Sequence, residues 1–284
     1  MISLSGVGEL MRGSHEEIEL VVTPPALLET TGIDVRVRGI DGWKHGGELA
    51  HHTVHLERKR HVIGPALLQP EPHRFPIQLA LPAMMAPTHA MSPASSALEI
   101  LVRIGVPRFW RLDVRQRFSL AVREPPPAML DRSPITARAT RDSQILELAI
   151  AARQLVAGET LVGSCAAFHV DDSRAREITL ALVPHLRLIG SHGDERLECP
   201  ARSLAIPFEA GASGRALRFS FPVPRDVTPS FRAETQVLAW SFVARLGILE
   251  VEVPVTIVDS LATSRVTPLR EAPVIAGASI GPYR

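Results

Sequence analysis

The chain has 284 residues, 45% of them hydrophobic and 21% charged, which argues against wholesale disorder and allows one large domain or two of ordinary size. Its 31 basic and 30 acidic residues leave a net charge of +1. This balance excludes the strongly basic surface with which proteins bind nucleic acids or anionic membranes.

The sequence also bears on location. No stretch approaches the roughly 20 consecutive apolar residues that a membrane-spanning helix needs, so we expect no integral membrane span. The segment Met1 to Glu9 lacks the basic start of a secretory leader. Two cysteines are present, Cys165 and Cys199, and buried free thiols are expected in preference to a disulfide between them. A cytoplasmic protein is therefore expected.

The first half of the chain is predicted to consist of β-strands. Residues 1–14 carry glycines and serine without periodicity and are expected to be a flexible lead-in. Apolar and polar residues then alternate in short segments, which is typical of strands that are buried on one side. A turn is predicted around Gly39 to Gly47, and a proline-rich link at 82–95. Strands are predicted at 16–22, 33–38, 50–57, 60–64, 75–81, 97–104 and 114–122.

A linker is predicted at 125–130, because three successive prolines cannot lie inside a sheet and favour a stiff spacer. Segment 144–151 could also be part of a helix over 142–156, but a strand is preferred because the segment occupies the same place in its half as 16–22. Residues 261–284 are expected to be a flexible tail. The strands predicted for the second half lie at 144–151, 160–168, 176–183, 185–189, 202–208, 216–223, 236–246 and 251–258.

The two halves are related by an internal repeat. Residues 75–106 and 217–248 align without a gap at an offset of 142 positions. The prolines that coincide are excluded from interior ladder positions, so their coincidence predicts a shared architecture. We predict an all-β chain of two tandem antiparallel β-sandwiches, of immunoglobulin-like type, at 15–124 and 131–260. The identical pairs are Pro82/Pro224, Pro87/Pro229, Ala97/Ala239, Arg103/Arg245 and Gly105/Gly247.

The order of these features resembles the arrestin fold, in which two β-sandwiches follow one another in one chain. Pro229-Ser230-Phe231, followed by the strand Val237 to Leu246, is similar to the second half of an arrestin-like domain. The segment Leu155 to Gly163 is similar to the early glycine-containing turn and strand of an arrestin C-terminal domain. The first copy departs from this pattern, since Thr88-His89 replaces the Ser-Phe pair and Leu98 replaces the aromatic residue at the strand entrance.

This resemblance implies a non-enzymatic adaptor that binds other proteins, as arrestins, the related retromer subunit and bacterial sporulation-control proteins do. No residue aligns with the phosphate-sensing positions of arrestins, so that role is not implied. We expect a cytoplasmic scaffold or adaptor that needs no cofactor and binds a protein partner of unknown identity, by strand addition at a sheet edge. The alternative is an accessory β-sandwich that binds a small ligand or carbohydrate.

Histidines are concentrated between residues 45 and 89 and raise the question of a metal site. On a strand, His51 and His55 share a face but lie about 13 Å apart. A helix over 48–59 would let both bind one zinc ion, but no third ligand follows at a predictable spacing. Exposed or hydrogen-bonded histidines are therefore preferred to a metal site. The histidines are His45, His51, His52, His55, His61, His73 and His89.

Other chemical motifs are incomplete. Gly163-Ser164-Cys165 lacks the second glycine of a nucleophile elbow and lies within a predicted strand. Gly6-Val7-Gly8 and the segment Gly211 to Gly214 lack the strand, loop and helix context that phosphate binding needs. We predict no catalytic, cofactor-binding or metal-binding residue, and the partner-binding residues are not assigned.

Two features have more than one interpretation. Arg103 and Arg245 are expected on solvated outer faces of their sheets, and the alternative is a charged contact between the domains. The link Ala83 to Pro87, with Met91 nearby, is apolar for a loop. It is expected to cap the open end of the sandwich, and the alternative is an adaptable binding surface.

Overall fold

The computed structural model describes residues 1–45, 48–91, 94–107, 113–170, 177–189, 195–198, 202–209 and 212–259. Residues 44–45, 48–53, 55 and 195–198 are described by their backbone alone. Within these ranges the protein is all-β, with mainly antiparallel sheets and no helix. The predicted fold class is confirmed, and the strand preferred for 144–151 is present.

The strands of the first half are β1 (Ile2–Ser5), β2 (Leu10–Met11), β3 (His15–Val22), β4 (Leu28–Thr30), β5 (Gly32–His45), β6 (Glu48–Ile63), β7 (Ala66–Leu68), β8 (His73–Ala80), β9 (Ala94–Gly105), β10 (Val114–Leu120) and β11 (Val122–Arg123). Those of the second half are β12 (Ile135–Arg141), β13 (Gln144–Ile150), β14 (Gln154–Val156), β15 (Thr160–Phe168), β16 (Glu177–Leu188), β17 (Glu195–Glu198), β18 (Arg202–Pro207), β19 (Leu217–Pro222), β20 (Phe231–Arg232), β21 (Gln236–Leu246) and β22 (Leu249–Val258).

Two sheets of the first half enclose a hydrophobic core. One has the strand order β1-β3-β8 and the other β10-β9-β5-β6. Because side chains alternate along a strand, every second residue points into the core. Ile18 and Leu20 of β3, and Ile100 and Val102 of β9, are at most 1% exposed. The short pairs β2-β11 and β4-β7 complete this half.

The second half repeats this plan around an aromatic centre. Its sheets have the orders β12-β13-β15-β19 and β14-β22-β21-β16-β17, with β18 also paired to β16 and β20 to β21. Phe242 is fully buried, with its ring centroid 5.7 Å from that of Phe219 and 5.1 Å from that of Phe221. Gly163 permits this packing, because a Cβ atom there would lie 2.4 Å from the Phe219 ring.

Two predicted breaks are absent from the structure. The predicted strands 50–57 and 60–64 are the single strand β6. Of the turn predicted around Gly39 to Gly47, residues 39–45 belong to β5 and residues 46–47 lie outside the described residues. The predicted strands 176–183 and 185–189 are joined in β16, which contains Pro184. On one side of β16, β18 pairs up to Leu182 and β17 pairs from His185, so among the described strands the missing N–H of Pro184 breaks no ladder there.

Strands at equivalent positions of the internal repeat pair in the same way in both halves. β8 pairs with β3 as β19 pairs with β15, and β9 lies between β10 and β5 as β21 lies between β22 and β16. Thr88 and Ser230, which are 142 positions apart, also make equivalent hydrogen bonds. The Thr88 hydroxyl accepts the N–H of Val122 at 3.0 Å, and the Ser230 hydroxyl accepts the N–H of Ile257 at 2.9 Å. Each anchors the last strand of its half.

The prediction of a flexible lead-in at 1–14 is corrected. β1 pairs with β3, β2 pairs with β11, and Leu10 is 2% exposed. Gly13 has a φ of 79° and donates its N–H to the carbonyl of Leu81, while Gly158 has a φ of 87° and donates to the carbonyl of Val223. Glycine suits both turns because it alone adopts positive φ without steric cost. The segment at 10–15 is therefore the counterpart of 155–160.

The predicted counterpart of 16–22 is also corrected. β15, not β13, matches β3, because each lies in the middle of its sheet and pairs with the first strand of the repeat, β19 or β8. The segment between the glycine turn and the repeat, which includes strands as well as loops, is three residues longer in the first half. β3 and β15 are therefore related by an offset of 145 positions, as Gly13 and Gly158 show.

The junction between the halves bears on the predicted domains. Residues 124–134 contain no strand, as the linker predicted at 125–130 requires. Trp43, Ala86 and Ala94 of the first half pack into the hydrophobic core of the second half, so the halves share buried contacts. The division into domains at 15–124 and 131–260 remains a prediction, and the tail predicted at 261–284 lies outside the described residues.

We expect Phe242→Ala to lower the free energy of unfolding by about 3–5 kcal/mol, because it empties a fully packed aromatic site. Urea unfolding followed by circular dichroism measures the change. Ala239→Ser, at an exposed position of the same strand, is the control and should change this free energy by less than about 0.5 kcal/mol. A loss below about 1 kcal/mol for Phe242→Ala would argue against this core.

Candidate functional site

The structure keeps apart those predicted histidines whose side chains it describes, His61, His73 and His89. His61 is exposed, and its Nδ1 lies 2.9 Å from the Asp34 carboxylate, while Nε2 of His73 lies 3.0 Å from the carbonyl oxygen of Gln69. His89 is 7% exposed. Among the residues that the structure describes, no three side chains of the metal-binding types converge. The side chains of His45, His51, His52 and His55 lie outside the described residues.

The Ser164-Cys165 pair alternates across its sheet, as predicted. Cys165 is 1% exposed and its Sγ lies 3.8 Å from the carbonyl oxygen of Leu217. Burial raises the pKa of the Cys165 thiol to about 11, so the reactive thiolate is suppressed at neutral pH. Ser164 points to the opposite, outer face of the sheet. Cys199 lies outside the described residues.

The two arginines of the repeat lie on outer faces. Nε of Arg103 lies 2.6 Å from the Asp113 carboxylate, and Nε of Arg245 lies 2.5 Å from that of Glu250. Their side chains are 54% and 52% exposed. The solvated interpretation is confirmed, and these ion pairs contribute little to stability because water screens them.

The methionine-containing link acts mainly as a cap. Met85 is 3% exposed and Ala86 is fully buried, while Met91 packs against the core of the second half. Met84 is 50% exposed, but its carbonyl accepts the N–H of Glu234 at 2.8 Å. The link therefore closes the first half and contacts the second.

Buried polar side chains lie where the two halves meet. Asp41 and Gln236 are fully buried, and the Thr235 hydroxyl donates a hydrogen bond to the Asp41 carboxylate. Nε2 of His89 lies 2.9 Å from Oε1 of Gln236, and the His89 ring centroid lies 5.3 Å from that of Phe231. Because an unpaired polar group in such a place is costly, these contacts fix how the halves face each other.

The hydrogen bonds of His89 select its neutral form. Its Nδ1 accepts the N–H of Met91 at 3.4 Å, so we assign the proton to Nε2, which donates to Gln236. Burial lowers the pKa of His89 below its usual value, and the Gln236 hydrogen bond and the charge of Asp41 offset only part of this effect. The junction is therefore built around an uncharged imidazole.

Arg12 and Arg123 form polar contacts at the edge of the same junction. Arg12 donates to the carbonyl of Arg232 at 2.5 Å and to the Glu124 carboxylate at 2.5 Å. Burial raises the pKa of Glu124, and the charge and hydrogen bond of Arg12 act against that rise. The Arg123 guanidinium lies 3.0 Å from the Asp259 carboxylate. The contacts of Arg12 with Arg232 and of Arg123 with Asp259 join the two halves.

The sheet β12-β13-β15-β19 turns one face outward. Residues that oppose each other in register point the same way, so side chains on this face stand in rows that cross the strands. One row consists of Arg138, Glu147 and Ala166, with Ala216 beyond them. The next row consists of Thr136, Ala149, Ser164 and Arg218.

A groove of about 510 Å³ crosses this face, and we call it the outer groove. Its floor is made of small side chains, and the 50% exposed Val162 stands beside it in the next row. Within the described part of the chain, neither Glu147 nor Arg218 has a side-chain hydrogen bond or ion pair. The lining residues are Thr136, Ala137, Arg138, Glu147, Leu148, Ala149, Ser164, Ala166 and Ala216.

The equivalent face of the first half is covered by polar contacts. Glu19 accepts hydrogen bonds from Ser5 at 3.0 Å and from Arg74 at 2.7 Å, and Gln78 donates to Glu17. The strand equivalence places Glu17 and Glu19 where the second half has Val162 and Ser164. The outer groove is therefore a specific departure of the second half from the shared plan.

Sequence reasoning missed the outer groove, although a signal for it exists. Aligning β3 with β15 shows two carboxylates of the first half replaced by valine and serine at outward positions.

No protein-family model matches this chain, and no curated protein matches it in sequence. Among the described residues, no helix is long and apolar enough to cross a bilayer.

We expect acid to weaken the junction through His89. Its folded-state pKa lies below the unfolded value of 6.5, so between these two values the unfolded chain binds more protons than the folded one. The contribution to stability is therefore complete above pH 6.5 and is lost as the pH falls below that value. In urea unfolding between about pH 7.5 and 5, this residue adds a slope of at most about 1.4 kcal/mol per pH unit.

His89→Gln should remove this contribution to the slope, whereas His61→Gln, at an exposed histidine, should keep it. Equal slopes for the wild type and His89→Gln would show that His89 is not a buried neutral imidazole.

We expect Cys165 to resist alkylation in the folded protein. In a Cys199→Ser variant it is the one remaining thiol. Iodoacetamide at about pH 8 should leave it unmodified until urea unfolds the chain, because burial suppresses both access and ionisation. Mass spectrometry reads the adduct, and equally fast modification of the folded and unfolded chains is the contrary result.

Proposed function

We propose that this chain is a non-enzymatic, cytoplasmic adaptor of the arrestin-like kind, and that its outer groove binds a segment of a protein partner. The observation that carries the proposal is the contrast between the two outer faces. In the first half this face is covered by the chain's own polar contacts, and in the second half it is an open groove of about 510 Å³.

The groove suits an apolar side chain. Its floor, Ala149, Ser164 and Ala166, consists of short side chains, and Val162 beside it is 50% exposed. The longer side chains of Arg138 and Glu147 also line it. A side chain that covers these atoms gains about 25 cal/mol for each Å² of apolar surface removed from water. Short side chains on a rigid sheet lose little conformational entropy when a partner binds.

The chemistry of the remaining described residues supports binding over catalysis. The Cys165 thiol is buried in the core, and the neutral His89 is held inside the junction by hydrogen bonds on both ring nitrogens. Neither side chain meets a reactive partner. The order of strands, the repeat and the equivalent hydroxyls Thr88 and Ser230 support the arrestin-like assignment, since they give each half the same sandwich plan.

We expect Ser164→Tyr to abolish recovery of a partner, because the ring fills the groove floor. Affinity-tagged protein is used to capture partners from native lysate, and the recovered proteins are identified by mass spectrometry. The matched control is Ala239→Tyr, which puts the same ring at an exposed strand position on the other sheet. Both variants should melt within a few degrees of the wild type, since surface substitutions cost about 0.5 kcal/mol or less.

The candidate partner is the protein that the wild type and Ala239→Tyr recover and Ser164→Tyr does not. It should then bind purified wild-type protein directly in a titration, at least tenfold more tightly than it binds Ser164→Tyr. A partner recovered equally by all three proteins would mean that docking occurs elsewhere.

A further inference from the structure

β19 forms an open edge beside the outer groove. It pairs with β15 on one side and with no other described strand. A strand edge presents unpaired N–H and C=O groups, which form a template for a further strand. The equivalent edge strand in the first half is β8, which pairs with β3.

The first half shows which residues of this edge point outward. Pro76 of β8 lies opposite Glu19, and a proline inside a ladder must sit where its missing N–H faces away from the neighbouring strand. Arg218 of β19 lies opposite Ser164 at the equivalent place. The N–H and C=O of Arg218 therefore point away from β15, toward the open side.

The first-half edge is closed at this place. Pro76 has no N–H to offer, and its carbonyl oxygen lies 3.4 Å from the Arg60 guanidinium. In the second half, the same position carries arginine, which restores the donor and adds a charge. Two halves of one fold therefore differ in whether their equivalent edge can accept another strand.

The charge of Arg218 determines which kind of strand can pair with the edge of β19. Arg218 points to the outer face in the row of Ser164, and within the described part of the chain its guanidinium has no partner. Ala216 lines the groove two residues earlier. At the far side of the groove, Arg138 and Glu147 oppose each other in register and carry opposite charges, so together they add no net charge. The unbalanced positive charge therefore lies at the β19 side.

We propose that an extended segment of the partner adds to the sheet as a strand beside β19, with an apolar side chain opposite Ala216 and an acidic side chain opposite Arg218. Strand periodicity puts these two partner residues two positions apart, on the same face. The apolar residue leans across Ala216 into the outer groove, and the carboxylate pairs with the guanidinium. This inference rests on the proposed function, because it names the chemistry of the segment that the groove binds.

A random twelve-residue peptide library displayed on phage tests the inference, with the full chain as target. Peptides selected on the wild type should share an apolar residue and an Asp or Glu two positions apart. Arg218→Glu should select Lys or Arg at the acidic position. Arg218→Pro copies the proline of the first half, so it should fold normally and bind the selected peptides at least tenfold more weakly in fluorescence polarisation.

Arg153→Glu, at an exposed position away from this edge, is the charge control and should bind as the wild type does. Peptides that lose binding to Ser164→Tyr but keep it with Arg218→Pro and Arg218→Glu would leave the groove as a docking site and overturn strand addition. Selected peptides that bind Ser164→Tyr as tightly as the wild type, or failure to select any peptide, would overturn both the inference and the proposed groove.

Discussion

The alternation of side chains along a β-strand is the constraint on which this structure depends. A strand that buries every second residue must expose the residues between them. In β13, the burial of Leu146 and Leu148 therefore fixes Glu147 and Ala149 on the outer face. The core determines which positions face outward but leaves their identity open. The two halves fill the same core positions and differ at the outward ones. A function that belongs to only one half can therefore arise from its outward residues.

Buried polar contacts at the junction determine how the two similar halves are arranged. Asp41 and Gln236 are fully buried there, and a buried polar group needs its hydrogen bonds, so small displacements of one half against the other are costly. The neutral His89 belongs to this set. The partners that satisfy these groups come from opposite halves, as the contact between His89 and Gln236 across 147 sequence positions shows. These contacts set the position of the outer groove relative to the first half.

Long alternating strands could be predicted from the sequence because each supplies enough residues to show its period. β1 and β2 are too short for that, so the order within residues 1–14 was missed. The offset of 142 positions could not reveal that β3 matches β15, because the segment between these strands and the repeat is three residues longer in the first half. Gly13 and Gly158, each followed by a strand, were the available signal. The outer groove and the junction depend on register and on how sheets face each other, which local sequence patterns do not encode.

Site-specific photo-crosslinking compares the two equivalent outer faces most directly. A photoreactive amino acid is placed at Val162 beside the outer groove, or at Glu17, its counterpart in the first half, and the protein is illuminated in native lysate. We expect a covalent adduct with one partner from position 162 and none from position 17. An adduct from position 17 alone, or equal adducts from both positions, would contradict the claim that the second half carries the docking surface.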